Sequence, residues 1–169
     1  MLFSSLIFLF MFLPVVLLGY FGILGKCSLK VKNRFLLLCS LFFYGWGEPV
    51  YVFLMIACIT YNYLFGLWAA AAKESGNIKS GRAAIVLMLV CNLSVLGVFK
   101  YTDFMINNFN GWFGMSIPLQ EIALPIGISF FIFQGISYVI DVYRGNGEVQ
   151  KNPLDVGLYI AFFPQLIAG

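Results

Sequence analysis

Charged residues divide an otherwise apolar chain into blocks, and the blocks have the lengths of membrane helices. Met1 to Gly25 carries no charge, and about 20 apolar residues cross a hydrocarbon core of roughly 30 Å. Phe35 to Gly47 is a shorter uncharged run. It spans if Lys32 and Arg34 snorkel toward headgroups and the helix extends to about Tyr51. Pro49 to Ala72, Ala83 to Phe99 and Ile122 to Ile140 are three further segments of spanning length, and Val156 to Gly169 opens a sixth that is partial or re-entrant. The predicted architecture is all-α: a polytopic membrane protein of five transmembrane helices plus one partial. Residues 1–169 form one membrane unit with no room for a separate soluble domain.

Two stretches depart from that pattern. From Asp103 to Gly114, Met105, Phe109, Trp112 and Phe113 share one helical face while Asn107, Asn108 and Asn110 lie elsewhere. This predicts a short helix lying in the interface plane, with Gly111 and Gly114 as breaking points. Pro125 and Gly127 stand at the start of the fifth helix, where a kink would free backbone groups for partners on neighbouring helices. Tyr44, Trp46 and Tyr51 around Glu48, and Trp112 with Phe113, have the placement of interfacial anchors.

Composition removes the soluble alternative. At 62% hydrophobic and 10% charged residues, the chain cannot hide its apolar side chains inside a 19.0 kDa globule, so the bilayer is its solvent and partner. The first helix is not a cleaved signal: its opening lacks Lys and Arg, its apolar stretch is too long, and no small-x-small site precedes Lys26. Lys26, Lys30, Lys32 and Arg34 crowd one loop and Lys73, Lys79 and Arg82 another. The positive-inside rule therefore places both loops in the cytoplasm and Met1 outside. The net charge of +3 reflects this loop bias and gives no reason to expect nucleic-acid binding. Cys27, Cys39, Cys58 and Cys91 share no metal-ligand spacing, so no metal site and no disulfide framework is expected.

Polar groups inside apolar helices are the places to look for chemistry. Phe130, Gln134, Ser137, Tyr138, Asp141 and Arg144 recur at three- and four-residue steps and form one stripe along the fifth helix. Such a stripe either lines a passage for substrate or bonds a neighbouring helix, with Asp141 and Arg144 spaced to pair. Asn62, inside the third helix, faces the same two alternatives. The sequence holds no histidine and none of the common nucleophile, phosphate-loop or dinucleotide motifs. No residue of this chain is therefore nominated as catalytic.

Several short motifs add a resemblance. The opening Met1-Leu2-Phe3-Ser4-Ser5, Leu41-Phe42-Phe43-Tyr44-Gly45-Trp46, Tyr61-Asn62-Tyr63 with Gly66, and Phe99-Lys100-Tyr101 occur in that order. They are followed by Leu124-Pro125-Ile126-Gly127-Ile128-Ser129-Phe130, then Ser137-Tyr138-Val139-Ile140-Asp141-Val142-Tyr143-Arg144-Gly145, and finally Phe162-Phe163-Pro164-Gln165-Leu166-Ile167-Ala168-Gly169. Together they resemble the N-terminal portion of the membrane-bound O-acyltransferase family, in its bacterial alginate O-acetyltransferase branch. The resemblance implies a ring of helices around a funnelled centre and an essential histidine, expected beyond Gly169. It implies transfer of an acetyl group from a thioester such as acetyl-CoA, with no bound cofactor, to a polysaccharide acceptor. Periplasmic acetyltransferases or polysaccharide-export proteins would be the partners. The alternatives from other classes are a non-catalytic membrane scaffold and a small transporter.

Overall fold

The computed structural model describes residues 6–120 and 122–167; Met1 to Ser5, Glu121, Ala168 and Gly169, which include the two ends of the motif series, lie outside the described residues. The described residues form seven helices and no strand. Helix α1 (Phe8–Ile23) is wide at both ends, with π-helical turns at Phe8–Phe12 and Leu18–Ile23 around an α-helical centre, Leu13–Leu17. Pro14 lies in that centre and has no N–H for the carbonyl one turn back.

Helix α2 (Leu29–Gly47) begins earlier than the charge pattern suggests, taking Lys30, Lys32 and Arg34 into its first turns. It does not reach Tyr51. Glu48 precedes Pro49 and leaves the helical region (φ −137°, ψ 72°), as expected for a residue whose α conformation the following ring disfavours. Helix α3 (Tyr51–Glu74) matches the predicted third span within two residues at each end. Helix α4 (Ile78–Phe113) starts at Asn77, whose side chain accepts the Ser80 N–H at 3.1 Å as an N-cap should. Among the described residues, α3 and α4 are the two helices long and apolar enough to cross a membrane.

The interfacial helix expected at Asp103 to Gly114 is instead the last three turns of α4. No residue between Lys100 and Phe113 breaks the helix, which stops at Gly114 in the left-handed region. At 1.5 Å per residue, α4 is about 54 Å long, well beyond a hydrocarbon core. The chain then runs back along this extension. Asp103 accepts the Gln120 N–H at 2.9 Å, and Asn110 exchanges two hydrogen bonds with the backbone of Ile117.

Helix α5 (Ile128–Arg144) starts six residues later than the apolar run does. The delay comes from Gly127, whose φ of +72° sets the turn into the helix. A Cβ there would also stand 2.8 Å from the Leu166 carbonyl, so only glycine fits. Helix α6 (Pro153–Ala161) is capped by Asn152 and leads through a bend at Phe162 into α7 (Phe163–Ile167). Pro164 accounts for the bend, since an uninterrupted helix would drive its ring into the Ile160 carbonyl.

The main packing is among α3, α4 and α5, with α6 against α2 and α3. One end of this bundle collects the α1–α2 loop, the α3–α4 turn and the segment after α5: Lys32 bonds the Gly25 carbonyl, Tyr143 lies over Gly81, and Lys73 meets Gly145. Every Lys and Arg except Lys100 belongs to this basic end. At the opposite end the Tyr51 hydroxyl donates to the Ala123 carbonyl at 2.9 Å.

Candidate functional site

The polar positions of α5 divide between two surroundings. The apolar face, including Phe131, Ile132, Ile136 and Val139, is buried against α3 and α4. Phe130, Ser137 and Arg144 are exposed, and Gln134 and Asp141 are half-buried. Gln134 reaches Gln165 on α7 through a long 3.4 Å contact, and the Ser137 hydroxyl donates to Asp141 over the same distance. Tyr138 is buried, with its ring over Gly66 of α3 and near Tyr159 of α6.

Beyond α5 the chain turns inward. The Tyr138 hydroxyl accepts the Gln150 N–H at 3.2 Å, and the Tyr63 hydroxyl donates to the Lys151 carbonyl at 2.9 Å. These two bonds pull the connecting segment toward the bundle and open a cavity of about 500 Å³ at its basic end. Tyr138 and Asp141 line it from α5, Lys30 and Asn33 from α2, and Asp155 and Tyr159 from α6, with Glu148 and Gln150 on the connecting segment. The stripe therefore contributes two residues, Tyr138 and Asp141, to this cavity. Phe130, Gln134, Ser137 and Arg144 do not line it.

Asn62 lies elsewhere. It is fully buried between helices and exchanges two amide hydrogen bonds with Asn92 of α4, at 3.0 and 3.2 Å. Each amide also donates to the carbonyl one turn back in its own helix, Cys58 for Asn62 and Met88 for Asn92, and the Tyr61 hydroxyl donates to Asn92 at 2.9 Å. Gly135 of α5 presses on the Asn62 amide so closely that a Cβ would collide with it. The pair joins α3 to α4, and the glycine brings α5 against both.

Sequence reasoning takes Lys30 only as a loop charge and does not single out Asn33, Asp155 or Tyr159, because each looks unremarkable within its own helix; only the meeting of α2, α5 and α6 makes them neighbours. Asn92 is different. It interrupts an apolar run as Asn62 does, so the same rule selects it. Among the described residues no group of three His, Cys, Asp or Glu side chains could hold a metal ion. The cavity offers recognition chemistry: three carboxylates and one ammonium for charge, with amide and phenol groups to orient a polar ligand.

The Probable alginate O-acetylase AlgI of Pseudomonas aeruginosa is 40% identical over 173 residues, covering 100% of this chain and 32% of that protein. The protein of the same name from Pseudomonas syringae is 39% identical with the same coverage. The Peptidoglycan O-acetyltransferase of Helicobacter pylori is 34% identical over 194 residues, covering 100% of this chain and 36% of that protein. No family model matches the chain, and no solved structure matches it. The chain is thus similar to these proteins along its whole length, and it spans about a third of their length.

Proposed function

We propose that this chain is the N-terminal part of a membrane-bound O-acyltransferase that passes acetyl groups to hydroxyls of an exported polysaccharide such as alginate. The observation that carries the reading is the similarity to alginate O-acetylases, 39–40% identical over the whole chain. In this reading α1 to α5 cross the inner membrane and α6 with α7 forms a partial sixth element. The basic end faces the cytoplasm by the positive-inside rule, with the N-terminus outside. The acyl donor, a thioester such as acetyl-CoA, approaches from the basic end. The acceptor polymer and its periplasmic acetyltransferase or export partners meet the opposite end.

The chain supplies wall and orientation. It has no histidine, so the base that the resemblance calls for belongs to other parts of the full-length protein. The cavity on Tyr138, Asp141, Lys30 and Asp155 is open to the basic end, with charged groups on three sides. Gln134 and Ser137 continue the polar stripe toward the opposite end, where they would complete a passage together with other helices of the full-length protein.

The test is the acetyl content of exopolysaccharide from cells lacking the full-length gene, complemented with wild type, Gln134→Leu or Asp141→Asn. Loss of polymer acetylation in the deletion, restored by wild type, supports the enzyme. A wall role further requires that Gln134→Leu lower acetylation severalfold at normal membrane abundance. Polymer that stays acetylated but is no longer exported would identify a scaffold instead.

A further inference from the structure

A second concavity lies on the flank of the bundle, away from the polar stripe. Helices α1, α2 and α7 enclose an apolar groove of about 270 Å³. Leu13, Leu17 and Tyr20 form one wall, Leu36 the floor, and Phe162 and Pro164 the far end. The residues from Leu13 to Tyr20 cover about two helical turns. The groove therefore runs from the α6–α7 bend toward the basic end, along the direction of a lipid chain in a bilayer.

Its rim is positively charged. The Lys32 ammonium stands 5.3 Å from the centre of the Tyr20 ring, and Tyr20 itself lines the groove. Lys32 precedes Leu36 by four residues, so one face of α2 carries the ammonium directly above the apolar floor. The same ammonium donates to the Gly25 carbonyl at 3.0 Å, which holds it at the groove mouth and leaves further N–H donors for a ligand. Lys26, next in the chain to that carbonyl, is exposed at the same end. An apolar channel with cations at its headgroup end is complementary to one kind of molecule.

We infer that this groove is a binding site for an anionic glycerophospholipid, with one acyl chain along α1 and the phosphate at Lys32. The lipid completes the α1–α2–α7 surface and ties the first helix to the α6–α7 bend. The site is independent of acyl transfer and holds whatever polymer the full-length protein modifies.

The experiment uses full-length protein in mild detergent, offered phosphatidylglycerol or phosphatidylcholine, with retained lipid counted by native mass spectrometry. Wild type is expected to retain phosphatidylglycerol preferentially. Lys32→Gln should weaken that preference about fivefold, the effect of one cation near a headgroup. Leu17→Trp, which adds bulk at a partly exposed position in the groove, should lower retention of the bound lipid, and the milder Leu17→Phe serves if the tryptophan variant is not monodisperse. Lys79→Gln, at the same end on α4, should leave the preference unchanged. Equal retention of both lipids by wild type overturns the proposal, and so does no retention, which would mean that another segment covers the groove. Equal sensitivity to Lys79 and Lys32, or indifference to both Leu17 variants, also overturns it, because either would reduce the effect to general surface charge.

Discussion

Helices α3, α4 and α5 meet around two buried amides and a glycine, whereas α1, α2 and α7 meet around four phenylalanine rings. In the first region Asn62 and Asn92 satisfy each other and Gly135 lets α5 approach to contact. In the second, Phe8, Phe12, Phe43 and Phe163 pack at centroid distances of 5.2 to 6.0 Å. The Ser40 hydroxyl adds a polar link there, donating to the Leu36 carbonyl and accepting the Phe163 N–H freed at the bend. Lipid tails are as apolar as leucine, so helices in a bilayer gain nothing from hiding hydrocarbon; close packing and directional bonds decide which faces meet. The amide pair sets a register that a sliding helix would lose. Rings tolerate small displacements, and their region is the one that leaves a groove open to lipid.

The largest effect that could break this contrast comes at Gly135. A Gly135→Leu change drives a side chain into the Asn62 amide and should cost about 3 kcal/mol, the upper part of the overpacking range. The full-length protein would then lose its monodisperse peak on size exclusion, with Gly135→Ala giving a smaller fall in melting temperature. Unchanged melting of the leucine variant would mean that α5 does not lie on the amide pair. Next comes Asn62→Leu, which strands one side of Asn92 and should cost roughly 1–2 kcal/mol. The double change Asn62→Leu with Asn92→Leu should be less damaging than the two single effects added. A double-mutant cycle in melting temperature reads that coupling, and strict additivity would deny the pair any joint role.

The two regions also differ in how much of them is legible in the sequence. Gaps between charges locate α3 to within two residues at each end because no backbone device interrupts it. Boundaries move wherever one acts: Pro49 ends α2 early, Gly127 delays α5, and Pro164 bends the chain at Phe162. The polar tail of α4 reads as a separate helix because its asparagines suit water. In the structure Asn110 and Asp103 instead brace the returning chain, a long-range use that periodicity does not encode. The stripe on α5 identifies Tyr138 and Asp141, since both lie on one helix. Their cavity partners come from α2 and α6, and only tertiary packing brings those together.

Smaller effects belong to the ring region, and they sharpen the contrast by their size. Ser40→Ala removes the acceptor of the Phe163 N–H and should cost about 1 kcal/mol, the order of a buried hydrogen bond in a membrane protein. Phe12→Leu should cost less still. Phe12 is only partly buried, and replacing its ring keeps an apolar side chain in place. What disappears is the ring geometry, an edge-on contact with Phe163 at 5.5 Å and a tilted one with Phe43 at 5.2 Å. Such contacts are worth about 0.5–1.5 kcal/mol beyond the area they cover, and leucine should recover part of that by repacking. The expected result is a melting temperature lowered by less than in Ser40→Ala, at unchanged membrane abundance. A Phe12→Leu loss as large as that of Asn62→Leu would show that ring geometry fixes register as firmly as the amides do, and the distinction between a locked and an adaptable half of the bundle would fall.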